Sequence, residues 1–225
     1  MSDPSVVLTV AVLGGTGKEG KGLAYRWAKA GYRIIIGSRS DQKAITAAAE
    51  LVESLDGRAS VVGMANVDAS QDADILVLTV PSSAHRRILR SVAAAAKGKL
   101  LIDVTVPLVP GQLAKAHMPR AGSAAQEARS ILGADAEIAA AFHNVPHEFL
   151  LRDGPLDADV LVTGTTKEAR AETLKLVSAA GLTGWDAGAL ENSMVTEGLA
   201  SILIHINRKY GSTHAGIKIT GVDSD

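Results

Sequence analysis

The chain contains no cysteine. That excludes disulfides, thiolate nucleophiles and cysteine-ligated zinc, and it fits a reducing compartment. Charge of one sign is also missing, because 23 basic residues stand against 24 acidic ones for a net charge of −1. Such a balance gives no electrostatic case for nucleic acid as a partner. No apolar run approaches the roughly 18–20 residues of a membrane span, so no membrane partner is expected. Residues 1–5 are short and polar, and no signal peptide is expected there; the reading is a cytoplasmic protein. A nucleophile–base pair and a carboxylate dyad are absent too. What remains is 225 residues, 47% of them hydrophobic, enough to bury a sizeable core.

The most informative stretch runs from Val6 to Gly20. Its apolar first half, Val6–Leu13, reads as a buried strand. It leads into Gly15-x-Gly17-x-x-Gly20 and then an amphipathic helix, the order a dinucleotide-binding turn requires. Gly15 suits the tight turn, Gly17 lets backbone approach a pyrophosphate, and Gly20 lets the helix pack close to the strand. The helix N-terminus then offers N–H groups to phosphate. A P-loop fits less well: Gly15 to Lys21 matches its spacing, but Gly22 follows where a magnesium-binding hydroxyl is needed.

A second strand, Tyr32–Gly37, ends in Ser38-Arg39. A carboxylate there would bind ribose hydroxyls and repel a 2′-phosphate. A hydroxyl, a guanidinium and nearby Lys43 would hold that phosphate by charge-assisted hydrogen bonds. The expected cofactor is NADP(H).

Strands and helices alternate along the rest. Helices are expected at about 18–30, 41–55, 82–96 and 123–132. Strands are expected at 58–64, 75–80, 100–106 and 137–142. The run Ile75–Val80 is apolar throughout, as suits a strand covered on both faces of a parallel sheet. The pattern predicts an α/β fold, a Rossmann-type doubly wound parallel sheet over residues 5–150. Ligands then lie beyond the carboxyl ends of the strands, where the glycine loop, Ser38-Arg39, Val80-Pro81-Ser82, Val106-Pro107 and His143 converge. Residues 151–225 read as a small carboxyl-terminal α+β cap with a strand near 159–164, a helix near 167–180, a short extended piece at 183–186 and a long apolar helix near 190–210. That helix is apolar beyond what a cap needs, which predicts a homodimer or higher homo-oligomer.

Several ionisable residues have plain alternatives. His143 and His147 have a His-x3-His spacing, but Pro146 interrupts the helix a metal pair would need, so no metal is expected. Asp103 reads as either a catalytic acid or, more commonly for such a position, a strand-end carboxylate bonded to backbone. His85 and His205 read as packed or partly exposed histidines. Lys218 and Arg208 are either surface cations or contacts for an anionic ligand.

Taken in order, these motifs resemble those of NADPH-dependent coenzyme F420 reductases. The resemblance is carried by Leu13–Gly17, Gly37-Ser38-Arg39 with Lys43, and Val106-Pro107-Leu108-Val109-Pro110. It continues through His143-Asn144-Val145-Pro146, Asp186-Ala187-Gly188 with Asn192-Ser193, and Gly216-Ile217-Lys218. It implies Thr16, Gly17, Lys18 and Glu19 at the pyrophosphate, and Ser38, Arg39 and Lys43 at the 2′-phosphate. It further implies Val80, Pro81 and Ser82 beside NADP towards the nicotinamide. Val106, Pro107, His143, Val145 and Ala215 would border the deazaflavin of coenzyme F420, the co-substrate. Ser82 is smaller, and His147-Glu148 more polar, than the family pattern. The implied activity is reversible hydride transfer, for which no catalytic side chain is expected because the cofactors carry the reacting atoms. Two alternatives share these features: an NADPH-dependent flavin, ferric or imine reductase, and a non-catalytic NADP-binding redox sensor.

Overall fold

Strand β1 (Thr9–Leu13) alternates its side chains between two cores, and that alternation sets the layers of the molecule. Val10 and Val12 face one buried cluster, Ala11 and Leu13 the other. The computed structural model describes residues 8–109, 111–151, 154 and 156–222. Val6, Val7 and Pro110 lie outside the described residues.

After β1 come α1 (Lys18–Lys29), β2 (Arg33–Ser38), α2 (Asp41–Ser54), β3 (Val61–Ala65), α3 (Asn66–Asp72), β4 (Ile75–Leu78), α4 (Ser82–Val92) and β5 (Leu100–Asp103). A hairpin of β6 (Leu108–Val109) and β7 (Gln112–Ala116) follows, then α5 (Ala124–Leu132), β8 (Glu137–Ala140) and the short α6 (His147–Leu150). The chain ends with β9 (Asp159–Gly164), α7 (Lys167–Ala179), β10 (Thr183–Ala189), a 3-10 turn (Leu190–Asn192) and α8 (Ser193–Tyr210).

Eight strands form one sheet in the order β10-β9-β8-β5-β4-β1-β2-β3. All neighbours are parallel except β8 and β9. The doubly wound sheet is therefore as expected, but the cap needs correction. β9 and β10 continue the sheet begun before residue 150, because β9 pairs antiparallel with β8 through Ala139–Gly164 and Ala140–Thr163. What stands outside the sheet is α8 with its tail and the β6–β7 hairpin it packs on.

Helices α1, α2 and α7 cover one face, with Trp27 fully buried and its indole Nε1 donating to the Leu176 carbonyl at 2.8 Å. Helices α3, α4 and α5 cover the other. The carboxyl ends of β1, β2, β4, β5 and β8 consequently open on one edge.

Candidate functional site

The glycine turn is built by close approach of backbone to backbone. Gly15 donates to the carbonyls of Val12 and Gly37, both at 3.0 Å. A Cβ on Gly15 would lie 2.7 Å from the Val12 oxygen, and one on Gly20 would lie 2.7 Å from the Gly15 Cα. Those two glycines are thus required sterically, as the spacing predicted. Gly17 differs: a Cβ there meets nothing closer than the Gly14 oxygen at 3.5 Å. Its open side is where a ligand would lie. No side chain caps α1 at Gly17, so N–H groups of the first turn stay available to an anion.

Asn66 fastens the turn from below. This buried side chain, at the start of α3, accepts the Gly14 N–H at 3.1 Å. A Cβ on Gly37 would sit 2.7 Å from that same amide oxygen, which explains the glycine before Ser38-Arg39. Ser38 is buried at the end of β2, with its hydroxyl accepting from the Ser40 N–H at 3.3 Å, while Arg39 is exposed. Beside them Thr16, Lys21, Gln42, Lys43, Thr46 and Glu50 line a hollow of about 280 Å³. Lys21 is paired there with Glu50 at 2.7 Å.

A larger cleft of about 540 Å³ opens on the other side of the turn. Val106, His143, Val145 and Ala215 line it, with Leu108 and Leu113 of the hairpin and Ala200, Leu203, Ile204, Asn207 and Arg208 of α8. Glu19 lines it as well, so its side chain faces this cleft. Val80, Pro81, Ser82 and Pro107 do not border the cleft. Val80 packs under Gly14, and Ser82 is the exposed first residue of α4. Lys218 is turned away into ion pairs with Asp159 at 3.1 Å and Asp157 at 3.2 Å. Of the two candidate cations for an anionic ligand, Arg208 is the one at the cleft.

Burial governs the ionisable groups here. His143 is buried with both ring nitrogens unbonded. Desolvation depresses it to about 4, against a weaker opposing pull from Asp103, so it is neutral. Burial and then the charge of Glu148 push Glu19 up to about 8. His147 lies 3.4 Å from Glu148, and no cluster of three metal-ligating side chains occurs among the described residues.

Behind the cleft lies a charged network that the sequence reading missed. His85 Nε2 meets Asp103 Oδ2 at 2.7 Å, and its Nδ1 meets Glu127 Oε2 at 3.1 Å. Desolvation alone would lower the imidazole, but the charge and hydrogen bonds of Asp103 and Glu127 outweigh it and raise His85 to about 9. Asp103 does accept a backbone N–H as expected, from Thr105 at 2.9 Å. Thr105 in turn donates to the Val80 carbonyl at 3.4 Å, which links the exits of β4 and β5. Arg26 of α1 holds the α6 segment by donating to the carbonyls of Leu150, Phe149 and Gly154 at 2.9, 3.0 and 3.1 Å.

The fold and this pair of recesses are those of a dinucleotide-binding scaffold, with a glycine turn set between two hollows. Comparison with known proteins narrows the class. Residues 9–107 match the model of the coenzyme F420-dependent NADP oxidoreductases. The F420-dependent NADP reductase of Methanothermobacter marburgensis is 39% identical over 96% of this chain and 99% of its own. That of Methanocaldococcus jannaschii is 35% identical over 96% and 100%. The chain belongs to the coenzyme F420-dependent NADP oxidoreductase family, the one its motifs resemble. Among solved structures, an Arthrobacter chain assigned to this reductase class superposes with a TM-score of 0.79 at 24% identity, covering 95% of this chain and 100% of that one. The pyrroline-5-carboxylate reductase of Coxiella burnetii gives 0.62 at 16% identity, over 91% and 69%, and shares the fold.

Proposed function

We propose that this protein transfers a hydride reversibly between NADP(H) and the deazaflavin coenzyme F420. The observation that carries the reading is the second recess. A largely apolar cleft lies beside the glycine turn, and its lining includes Val106, His143, Val145 and Ala215, four of the five residues expected at a deazaflavin. A sensor would need a partner-binding patch there instead.

NADP lies across the first turn of α1, held by backbone at Thr16, Gly17, Lys18, Glu19 and Gly20, with Gly15 shaping the turn. Its 2′-phosphate meets Ser38, Arg39 and Lys43, where no carboxylate ends β2. The nicotinamide passes Val80, Pro81 and Ser82 towards the cleft. Val106, His143, Val145 and Ala215 border the deazaflavin, with the neutral His143 free to hydrogen-bond it, and Arg208 meets its anionic tail. When bound, the two cofactors supply the hydride donor and acceptor carbons. The chain's own work is to hold those carbons roughly 3–3.5 Å apart and keep water out.

Val195, Ile202, Ile206 and Tyr210 are exposed along α8, whose other side forms the cleft wall. A second copy covering that stripe gives a homodimer or larger assembly. No helix among the described residues is long and apolar enough to cross a membrane. A chain without cysteine suits a reducing compartment, which supports a cytoplasmic enzyme.

Mixing the protein with NADPH and, separately, coenzyme F420, flavin mononucleotide and a cyclic imine tests the acceptor. Rapid bleaching of the oxidised deazaflavin is expected, with a far slower flavin reaction. Faster reduction of flavin or imine refutes the acceptor and leaves the NADP site standing.

A further inference from the structure

The proposed reaction consumes a proton that the hydride does not supply. NADPH gives up its C4–H bond and a C5–H bond forms on the deazaflavin, which moves two electrons and one hydrogen nucleus. The reduced ring is completed only when a second proton reaches N1, so NADPH, F420 and H⁺ give NADP⁺ and F420H2. Val106, Leu203 and Ile204 give the cleft an apolar wall, so the candidate donors are the few ionisable groups that share it.

Two ionisable side chains face this cleft with buried, unbonded atoms: Oε1 of the half-buried Glu19 and both ring nitrogens of the buried His143. Their protonation states are opposite. Glu19, pushed up to about 8, holds a proton at neutral pH. His143, depressed to about 4, holds none to give. The charged and titratable groups that share the cleft with Glu19 are Glu148 and His147 of α6, His143 after β8, and Arg208 of α8. A dinucleotide pyrophosphate on the same helix turn adds negative charge and favours the protonated carboxyl further. The protonated state also removes the repulsion a first-turn carboxylate would exert on that pyrophosphate.

We propose that the Glu19 carboxyl is the proton donor to the deazaflavin during F420 reduction, and that its carboxylate takes the proton back in the reverse direction. The proposal rests on the cleft being the deazaflavin site. It goes beyond the family motif, where position 19 is expected only to meet the pyrophosphate.

The test compares wild type with Glu19→Gln, which keeps the side chain's size and removes its acidity. Single-turnover F420 reduction at saturating NADPH is followed against pH in water and in deuterium oxide. The wild-type rate should fall above about pH 8, where Glu19 loses its proton. Glu19→Gln should be roughly 10²-fold slower, without that limb and without a solvent isotope effect on proton delivery. NADPH affinity should stay within about twofold, since backbone makes those contacts. Glu148→Gln removes the negative neighbour and should move the wild-type limb to lower pH. Infrared difference spectra of the ligand-free protein give a readout independent of turnover. A protonated carboxyl band present at pH 7 and bleaching as pH passes about 8 should lose the Glu19 share of its intensity in Glu19→Gln and keep the share of Glu197, which burial likewise raises to about 8. A Glu19→Gln profile that keeps the wild-type limb, or a band undiminished in Glu19→Gln, overturns the proposal. A wild type that reduces flavin but leaves F420 untouched overturns the functional reading, and this one with it.

Discussion

Replacing Asp103 by Asn tests whether the buried network behind the cleft is an ion pair. Asp103 is fully buried and His85 only 2% exposed, so neither charge has water to fall back on. One Asp103 oxygen accepts from His85 Nε2 at 2.7 Å, the other from the Thr105 N–H at 2.9 Å. An asparagine has one oxygen and one amide nitrogen for these two donors. One donor must then face another, and the His85 charge loses its closest counterion. Breaking a buried pair by removing one partner costs about 3–5 kcal/mol. Glu127 remains beside His85 at 3.1 Å, which argues for the lower end of that range.

The sign of the pH dependence is fixed by the direction of each shift. His85 is raised to about 9 in the folded protein, so its stabilisation is complete below the unfolded histidine value and is lost as pH rises through about 9. Asp103 is lowered: burial alone would raise it, but the His85 charge and hydrogen bonds outweigh burial. Its stabilisation is present above the unfolded carboxylate value and is lost as pH falls below it. Urea unfolding of wild type and Asp103→Asn should therefore differ most near pH 6 and converge towards pH 10, past the titration of His85. A difference that is equal at the two pH values, or under about 1 kcal/mol at pH 6, refutes the ion-pair account.

Two perturbations address the NADP half of the site. Arg39→Ala removes one charge-assisted contact proposed for the 2′-phosphate. It should weaken NADPH by about 1.5–3 kcal/mol, roughly 10- to 150-fold, and leave NADH unchanged; equal losses for both in a fluorescence titration refute the assignment. Gly20→Ala places a methyl 2.6 Å from the Thr79 hydroxyl and 2.7 Å from the Gly15 Cα, and backbone at Gly15 cannot give way without opening the turn. The strain of about 1–3 kcal/mol should appear as weaker NADPH binding with the circular dichroism spectrum retained, and unchanged affinity refutes the steric reading.

How much of this was legible in the sequence depended on how far apart the interacting residues lie. The turn Gly14–Gly20 was readable because its steric demands are local. β1, β2 and β4 were readable because strands covered on both faces are apolar throughout. The β6–β7 hairpin was not, since a two-residue strand has no period and exposed β7 buries no face. β9 and β10 were recognised as extended segments but assigned to a cap. Their pattern carries no record of which edge they join, and the reversal at β8–β9 breaks the parallel rule the alternation suggested. His85 read as an ordinary packed histidine because its partners Asp103 and Glu127 stand 18 and 42 positions away.

The same limit hid the part of the site that couples its two halves. Helix α1 faces both recesses. Its N-terminus presents N–H groups where the phosphates are expected, and Glu19 in its first turn faces the cleft. Arg26, two turns further on, reaches 124 positions along the chain to the Leu150 carbonyl and fixes the α6 segment that carries His147 and Glu148. At position 22 of the same helix a Cβ would lie 2.5 Å from the Leu150 Cβ, so the glycine lets α6 close against α1. Nothing in Lys21-Gly22-Leu23 signals such a partner, because a glycine that admits a distant side chain looks like one that merely weakens a helix. The phosphate turn and one cleft wall are therefore parts of one rigid element. The N-terminus of α1, Glu19 and, through Arg26 and Gly22, the α6 segment are held in one fixed relation.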